Sequence, residues 1–586
     1  MASDMDTLLI RGGSLYDGLG GPARAKDVLV RGGVVAALLE PGEAAACEAQ
    51  PIDADGCWVM PGFIDLHTHY DAELELAPAL GESVRHGVTT IVLGSCGLSM
   101  AVGDPVELAD MFCRVEGIPR ATVKPLLEQQ KTWDGPAAYF EHLASLPLGP
   151  NVAALLGHSA IRAAAMGLGR SLDASERPRP DELARMQALL AEALDVGYLG
   201  LSINTLPWDK MDGEAFRSRP TPSVFASWSE YRALAEMLRA RGAILQGVPN
   251  VSTKLNVFLF ALLSMGLGRR PLKTMLIAMM DTIATRGVHR LVGVLTRLTN
   301  RVMRGDIRMQ ALPNTFDMWV DGIEVPLFEE FGAGTEALHV EDPHGRAELL
   351  RDTGYRRRFK KQWRDRLRGR AYHRDLAEIR IVACPDASLV GKSFAELAGP
   401  GRDPIDVLLD LVAEHGRALR WYTVVANDRR DDLEWIVDHP DILLGFSDAG
   451  AHLRNMAYYN FPLRMLKLVR DAEQDGRAFM TIERAVQRLT AEIADWLGLD
   501  VGRLVEGARA DLVVVDPSKL DARLEALHEE PMREFADLPR LVRRNDDAVR
   551  SVVIHGRVAH ASGVHAPGLG RERGFGEVLA ASHVSA

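Results

Sequence analysis

Two rhythms of apolar and polar positions run along this chain. Near the N-terminus, LLIRGGSLYDG, DVLVRGGVVAAL and PIDADGCWVMPG are short alternating runs broken by glycine turns, the pattern of strands in a small β domain. The same style returns in GRLVEGARADLVVVDP and VRSVVIHGRVAHASG near the C-terminus. Between these ends, eight apolar runs finish in polar or glycine-containing tips: VMPGFIDLH, TTIVLGSC, NVAALLGHS, GYLGLSIN, GAILQGVPN, IRMQALPN, WYTVVAN and DILLGFSD. Stretches with helical spacing, such as DELARMQALLAEALDVG and WSEYRALAEMLRARG, separate most of them. Strand and helix in alternation predict a parallel sheet, and eight such units predict an α/β fold of the TIM-like (β/α)8 barrel type. Its active site is then expected at the C-terminal ends of the strands.

Chain termini often lie close together, so one composite β-sandwich from residues 1–57 and 500–575 is expected beside a barrel over 58–499. Roughly 100 residues separate the sixth run from the seventh, far more than a normal connection. An insertion at about 315–417, read as a lid or subdomain, accounts for them.

Composition narrows the choice of partner. The net charge of −12 argues against general nucleic-acid binding, which needs a basic surface. The basic run from Arg356, inside the insertion, reads as a solvated helix face or as a site for an anionic partner. Cys47, Cys57, Cys96, Cys113 and Cys384 are too sparse and irregular for a disulfide framework. A reducing, cytoplasmic setting is expected, and MASDMDTLLIRGG shows no signal-peptide pattern. The most apolar window, Leu255 to Gly268, is too short to span a bilayer. It reads as a buried helix, as a contact in a homo-oligomer or, from the basic residues that follow, as a membrane-surface helix.

The strand tips carry the candidate chemistry. His67 and His69 are two apart, so on a strand both face the barrel mouth and can share a divalent metal, most often zinc. Two unrelated surface histidines would give the same H-x-H, but other ligand types end later strands. Cys96 ends the second run, as a thiolate ligand or a small buried hydrophobe. His158 ends the third, as ligand, proton donor or hydrogen-bonded core residue. Asp448 ends the eighth, as ligand and general base or as a helix N-cap. Together these residues point to metal-assisted hydrolysis of an amide or related bond.

PGFIDLHTHYD, GVTTIVLGSCGLS, NVAALLGHSAIR and GFSDAGAHLRNMAYYNFPLRML resemble the amidohydrolase superfamily, and within it the N-acyl-D-amino-acid deacylases, or D-aminoacylases. EGARADLVVVDP and VVIHGRVA resemble that superfamily's split β-sandwich, so the likeness runs from about Leu8 to Gly563. ESVRHGVTT and FEEFGAGTEALH look most like a D-amino-acid aminohydrolase branch. The resemblance implies that His67, His69, Cys96 and Asp448 bind metal, that Asp448 is the general base, and that Arg454 holds the substrate carboxylate.

One departure from the family is plain. Where the deacylases carry histidines at the fifth and sixth strand tips, Gln246 and Gln310 are found, and the fourth strand offers neither lysine nor glutamate. One Zn2+ ion is therefore expected, two being possible, with Cys96 as fourth ligand or as a neighbour of the ligands. His158 or His452 would compensate, while Gln246 and Gln310 would orient water or a substrate amide. The substrate is expected to be a small N-acyl amino acid, of D configuration by the resemblance, or a related linear amide, its carboxylate near Arg454 or Arg162 and its acyl group under the insertion. Hydrolysis of a cyclic amide, lactone or carbamate, and a non-catalytic binding protein on the same fold, are the alternatives.

Overall fold

The computed structural model describes residues 7–43, 49–250, 254–366 and 369–583; Cys47 and the first six residues lie outside them. Eight parallel strands form the central sheet. In chain order they are Phe63–Asp65, Val88–Leu93, Asn151–Gly157, Gly200–Asn204, Ile244–Val248, Lys273–Leu276, Asp306–Ala311 and Ile442–Leu444. Each pairs with its sequence neighbour in the sheet. Short extensions of the first and eighth strands, His67–Thr68 and Phe446–Ala449, pair in parallel and close the barrel. Nearly every strand residue is buried, as expected for a sheet covered on both faces.

Two strands differ from the sequence expectation. Arg420–Ala426, which contains WYTVVA, is not the seventh barrel strand; it pairs antiparallel with Phe316–Asp321 and Arg380–Ala383 in a separate three-stranded sheet. The helix Pro404–His415 before it imitates a barrel unit, and an apolar run alone does not report strand direction. The sixth strand is instead Lys273–Leu276, four residues hidden within an apolar and basic stretch. IRMQA is therefore the seventh strand, and Gln310 moves with it.

The barrel interior packs Ile64, Val92, Ala153, Leu155, Ile244 and Met275 against Ile493, Trp496 and Leu497. Lys273, first residue of the sixth strand, donates to the Trp496 carbonyl, which puts this plug at the end away from the strand tips. The two chain ends share a seven-stranded sheet in which Trp58–Pro61 lies antiparallel to Leu512–Val515. A four-stranded sheet from residues 8–53 covers it, burying Leu8, Ile10, Val28 and Val30 with Val59, Leu512 and Val514.

The segment between the seventh and eighth strands holds the three-stranded sheet and several helices. Phe328, Phe331, Phe359 and Trp363 stack at its centre. The basic run of the helix Thr353–Trp363 is matched from within: Arg356 pairs with Asp410, and Lys360 with Asp406 at 2.5 Å. A hairpin from the C-terminal part, Leu527–Met532 with Leu538–Arg543, joins this segment through Arg543 on Asp317 at 2.6 Å.

Candidate metal centre and its cavity

His67 and His69 leave the first strand on one side, as the two-residue period requires. Between them and the opposite wall converge Cys96, after the second strand, and Asp448, in the extension of the eighth. His67 Nε2 lies 3.4 Å from Cys96 Sγ and 3.5 Å from Asp448 Oδ1. His69 Nε2 lies 3.4 Å from the same carboxylate oxygen. A tetrahedral ion with metal–nitrogen bonds of about 2.0–2.1 Å and a metal–sulfur bond of about 2.3 Å holds its donors roughly 3.3–3.7 Å apart. His67, His69 and Cys96 form one group whose donor atoms all lie within 4.8 Å of one another, and Asp448 approaches it from the side of the two histidines. Cys96 and Asp448 both have φ of +57°, a left-handed conformation unusual outside glycine and one that turns both side chains inward at a cost.

Each histidine is fixed by its other nitrogen. His67 Nδ1 donates to Gln310 Oε1 at 2.6 Å, leaving the Nε2 lone pair free. His69 Nδ1 faces Glu116 Oε1 at 3.1 Å, the carboxylate–histidine arrangement that orients metal ligands. Glu116 ends the helix Pro105–Glu116, and nothing in its local sequence distinguishes it from an ordinary helix end before Gly117. Gln246 accepts from the Cys96 backbone N–H at 3.1 Å. The amide nitrogens of Gln246 and Gln310 are both buried and have no hydrogen-bond partner among the described residues. At the tip of the true sixth strand, Leu276 is followed by Ile277 and Ala278, which offer no ligand atom.

Electrostatics divides the set. Burial drives the His67 pKa down to about 4, so its ring is neutral and ready to bind a cation. For Asp448, burial opposes ionisation, but His69 and His67 outweigh it and hold the carboxyl at about 2. Burial pushes Glu116 up to about 8 and also disfavours a charged His69, yet Glu116 and Asp448 keep the His69 pKa well above its usual value. One proton is therefore held between Glu116 and His69. Burial raises the Cys96 thiol to about 12, so metal ligation has to displace its proton.

A cavity of about 510 Å³ opens beside this cluster, lined by Trp208, Asp209, Lys210, His452 and Arg454 among others. His452 is its link to the cluster: the fields of Asp448 and His69 act on it, and burial keeps its ring neutral. Most charges in the wall are paired, including Arg114 with Glu329 and Arg217 with Asp212. Arg454 is also committed, its Nε 2.5 Å from Asp321. The Lys210 ammonium has no ion pair or hydrogen bond among the described residues, and burial lowers its pKa.

Residues 371–559 match the Amidohydrolase family. A Mycobacterium tuberculosis (strain H37Rv) protein, itself uncharacterised, is 45% identical over 561 residues, covering 95% of this chain and 92% of that one. The N-acyl-D-glutamate deacylase of Alcaligenes xylosoxydans xylosoxydans is 35% identical over 238 residues, 40% of this chain and 42% of that enzyme. The solved N-acyl-D-glutamate deacylase from Bordetella bronchiseptica, complexed with zinc and a phosphonate mimic of the tetrahedral intermediate, superposes with a TM-score of 0.63. It is 24% identical, and the match covers 99% of this chain and 100% of that one. This chain belongs to the D-aminoacylase amidohydrolase family. Its reaction class is hydrolysis of carbon–nitrogen bonds other than peptide bonds.

Two residues expected at this amidohydrolase's mouth lie elsewhere. His158 begins the helix His158–Met166 rather than ending the strand, so its ring turns behind the barrel wall. There its Nδ1 meets Ser223 Oγ at 3.1 Å and its Nε2 meets Glu230 Oε1 at 3.1 Å. Arg162, one turn on, binds the same carboxylate, and all three side chains are fully buried. Neither is placed to touch substrate. A second acidic group, Asp281, His289 and Asp432, is another possible metal site by spacing. Arg286 and Arg429 bind Asp281 at 2.9 and 2.8 Å, and Arg290 binds Asp432 at 2.7 Å, which disfavours a further cation. Among the described residues no helix is long and apolar enough to cross a membrane.

Proposed function

We propose that this chain is a deacylase of N-acyl amino acids that works with one zinc ion held by His67, His69, Cys96 and Asp448. The observation that carries the reading is the grouping of His67, His69 and Cys96 with Asp448 Oδ1 at 3.4–3.5 Å from the two histidines, both of which are oriented from behind. When bound, the metal supplies Lewis-acid polarisation of the scissile carbonyl and lowers the pKa of water to about 7.

The protein's own groups do the rest. Asp448, ionised and the only one of the four side chains with appreciable exposure, takes the proton from the attacking water and passes it to the leaving nitrogen. A C–O bond forms, the amide C–N bond breaks, and a carboxylate and a free amino acid leave. The unpartnered amide N–H groups of Gln310 and Gln246 are donors for the oxygen that gains charge. Lys210, rather than Arg454, is the free cation for the substrate carboxylate, because Arg454 is neutralised by Asp321. Trp208 and the wall formed by Val325, Pro326 and Leu338 offer apolar surface to the acyl chain.

The test is a substrate panel on zinc-loaded protein: N-acetyl and longer N-acyl derivatives of D- and L-amino acids, beside hydantoins, lactones and carbamates. Release of free amino acid from the linear amides is expected. Turnover of the cyclic substrates alone, or none with full metal, overturns the reading.

A further inference from the structure

The helix Val288–Val302, on the outside of the barrel between the sixth and seventh strands, is built inside out. Its inward face is polar or small: His289, Gly293, Thr296 and Thr299 are buried. Its outward face is aliphatic: Leu291, Val294, Leu298 and Val302 are 56%, 62%, 52% and 63% exposed, with Val288 and Leu295 beside them. The orientation is locked. His289 contacts Asp281 and Asp432 at 3.2 and 3.1 Å, Asn300 binds Asp441 at 2.9 Å, and a Cβ on Gly293 would stand 2.5 Å from the Trp435 ring. Thr296 and Thr299 satisfy their hydroxyls on the helix's own carbonyls, which lets them face inward. The apolar stripe therefore faces solvent by construction.

The patch continues onto the preceding helix, Lys254–Ser264, and the turn after it. Phe258, Leu262 and Leu267 are exposed there. The two elements meet at their ends, where Gly266 N–H donates to the Met303 carbonyl and Asp306 N–H to Ser264 Oγ.

Charge identifies the partner. Residues 256–304 contain eight Lys or Arg and one acidic residue, the buried Asp281, in a chain of net charge −12. At 100° per residue, Arg290, Arg297 and Arg301 fall along one flank of the stripe, at the boundary between apolar and inward faces, and Arg304 follows just past the helix end. All four are exposed, and Arg297, Arg301 and Arg304 make no ion pair among the described residues. A symmetric contact with a second copy would set these arginines against their own equivalents. The surface is a convex helix face about 22 Å long rather than a groove, and it carries aliphatic side chains with arginine stems at their edge. An interfacial helix lying in the plane of acidic headgroups has this form.

We propose that the outer face of the helices Lys254–Ser264 and Val288–Val302 docks this enzyme onto an anionic bilayer surface. The experiment is flotation of the full-length, metal-loaded protein with vesicles of phosphatidylglycerol and phosphatidylcholine, beside vesicles of phosphatidylcholine alone. Binding to the anionic vesicles, weakened by salt, is expected. Leu291→Ser/Val294→Ser/Leu298→Ser and Arg297→Glu/Arg301→Glu should each lower the bound fraction about tenfold or more. Thermal unfolding and metal content report that both variants are folded. No flotation with anionic vesicles, or binding that neither variant changes, refutes the proposal. A dimer in light scattering that the triple variant converts to monomer, without vesicle binding, reassigns the face to a second copy.

Discussion

Glu116→Gln removes the charge behind His69 while keeping the shape of the side chain. Both partners are almost fully buried and 3.1 Å apart, so at an effective dielectric of about 20 the ion pair is worth roughly 5 kcal/mol. Part of that is offset by burial of the carboxylate, which pushes Glu116 up to about 8. Losing a carboxylate that orients a metal ligand usually costs about 10–100-fold in metal affinity, or roughly 1.4–2.7 kcal/mol. The pH profile gives a sharper test than the loss itself. Before metal binds, His69 holds its proton to well above its ordinary pKa, so zinc has to expel it. In the wild type, apparent zinc affinity should therefore keep rising with pH through the neutral range. In the Glu116→Gln variant the His69 pKa falls, and one proton disappears from that slope. Chelator competition at pH 6, 7 and 8 measures both quantities. Unchanged affinity with an unchanged slope would show that Glu116 does not act on His69.

Asp448→Asn should lower kcat by about 10²–10⁴-fold, because the amide cannot take the proton; a metal-loaded and fully active variant would exclude the general-base role. Lys210→Met should raise KM for N-acyl amino acids with little change in kcat, whereas an equal fall in kcat and kcat/KM with KM unchanged would mean that the ammonium acts only in the transition state. Glu230→Gln leaves buried Arg162 without its counter-charge and should cost about 3–5 kcal/mol in denaturant unfolding with metal content unchanged. Burial raises the Glu230 pKa, but His158 and Arg162 outweigh it and hold the carboxyl below its ordinary value. Its stabilisation is present above the unfolded carboxyl pKa, about 4.3, and is lost as pH falls through the lowered folded value, so wild type and variant should converge in acid.

The sequence pattern carried the barrel and much of the centre, for identifiable reasons. His67 and His69 stand two apart at a strand end, where geometry leaves them little choice of direction, and Asp448 ends a strand of the same kind. His158 looked equivalent in LLGHS but starts a helix, and that single residue of phase turns it to the other side of the wall. Gln310 is recognisable as an unusual tip residue, but the sequence pattern hides its strand number, because a four-residue strand, Lys273–Leu276, has too little pattern to stand out. WYTVVA misleads for the opposite reason: its apolar run is strong, but direction and partner are set by Phe316–Asp321, about a hundred residues away. Glu116 and Lys210 come from a helix end and a loop, and only the closed barrel brings them to the site.

The cavity roof joins parts of the chain that the barrel keeps far apart. Asp321, Glu324 and Arg417 come from the segment between the seventh and eighth strands, Arg454 follows the eighth, and Leu538 belongs to the C-terminal hairpin. Chemistry and selectivity are thereby written on separable pieces. Exchanging the segment between Phe316 and Ala426 among relatives would change which acyl chain and side chain fit while leaving His67, His69, Cys96 and Asp448 untouched. Such exchanges would succeed only if Asp317 travels with its Arg543 and Asp321 with its Arg454, since those ion pairs are the seams that hold the roof to the body.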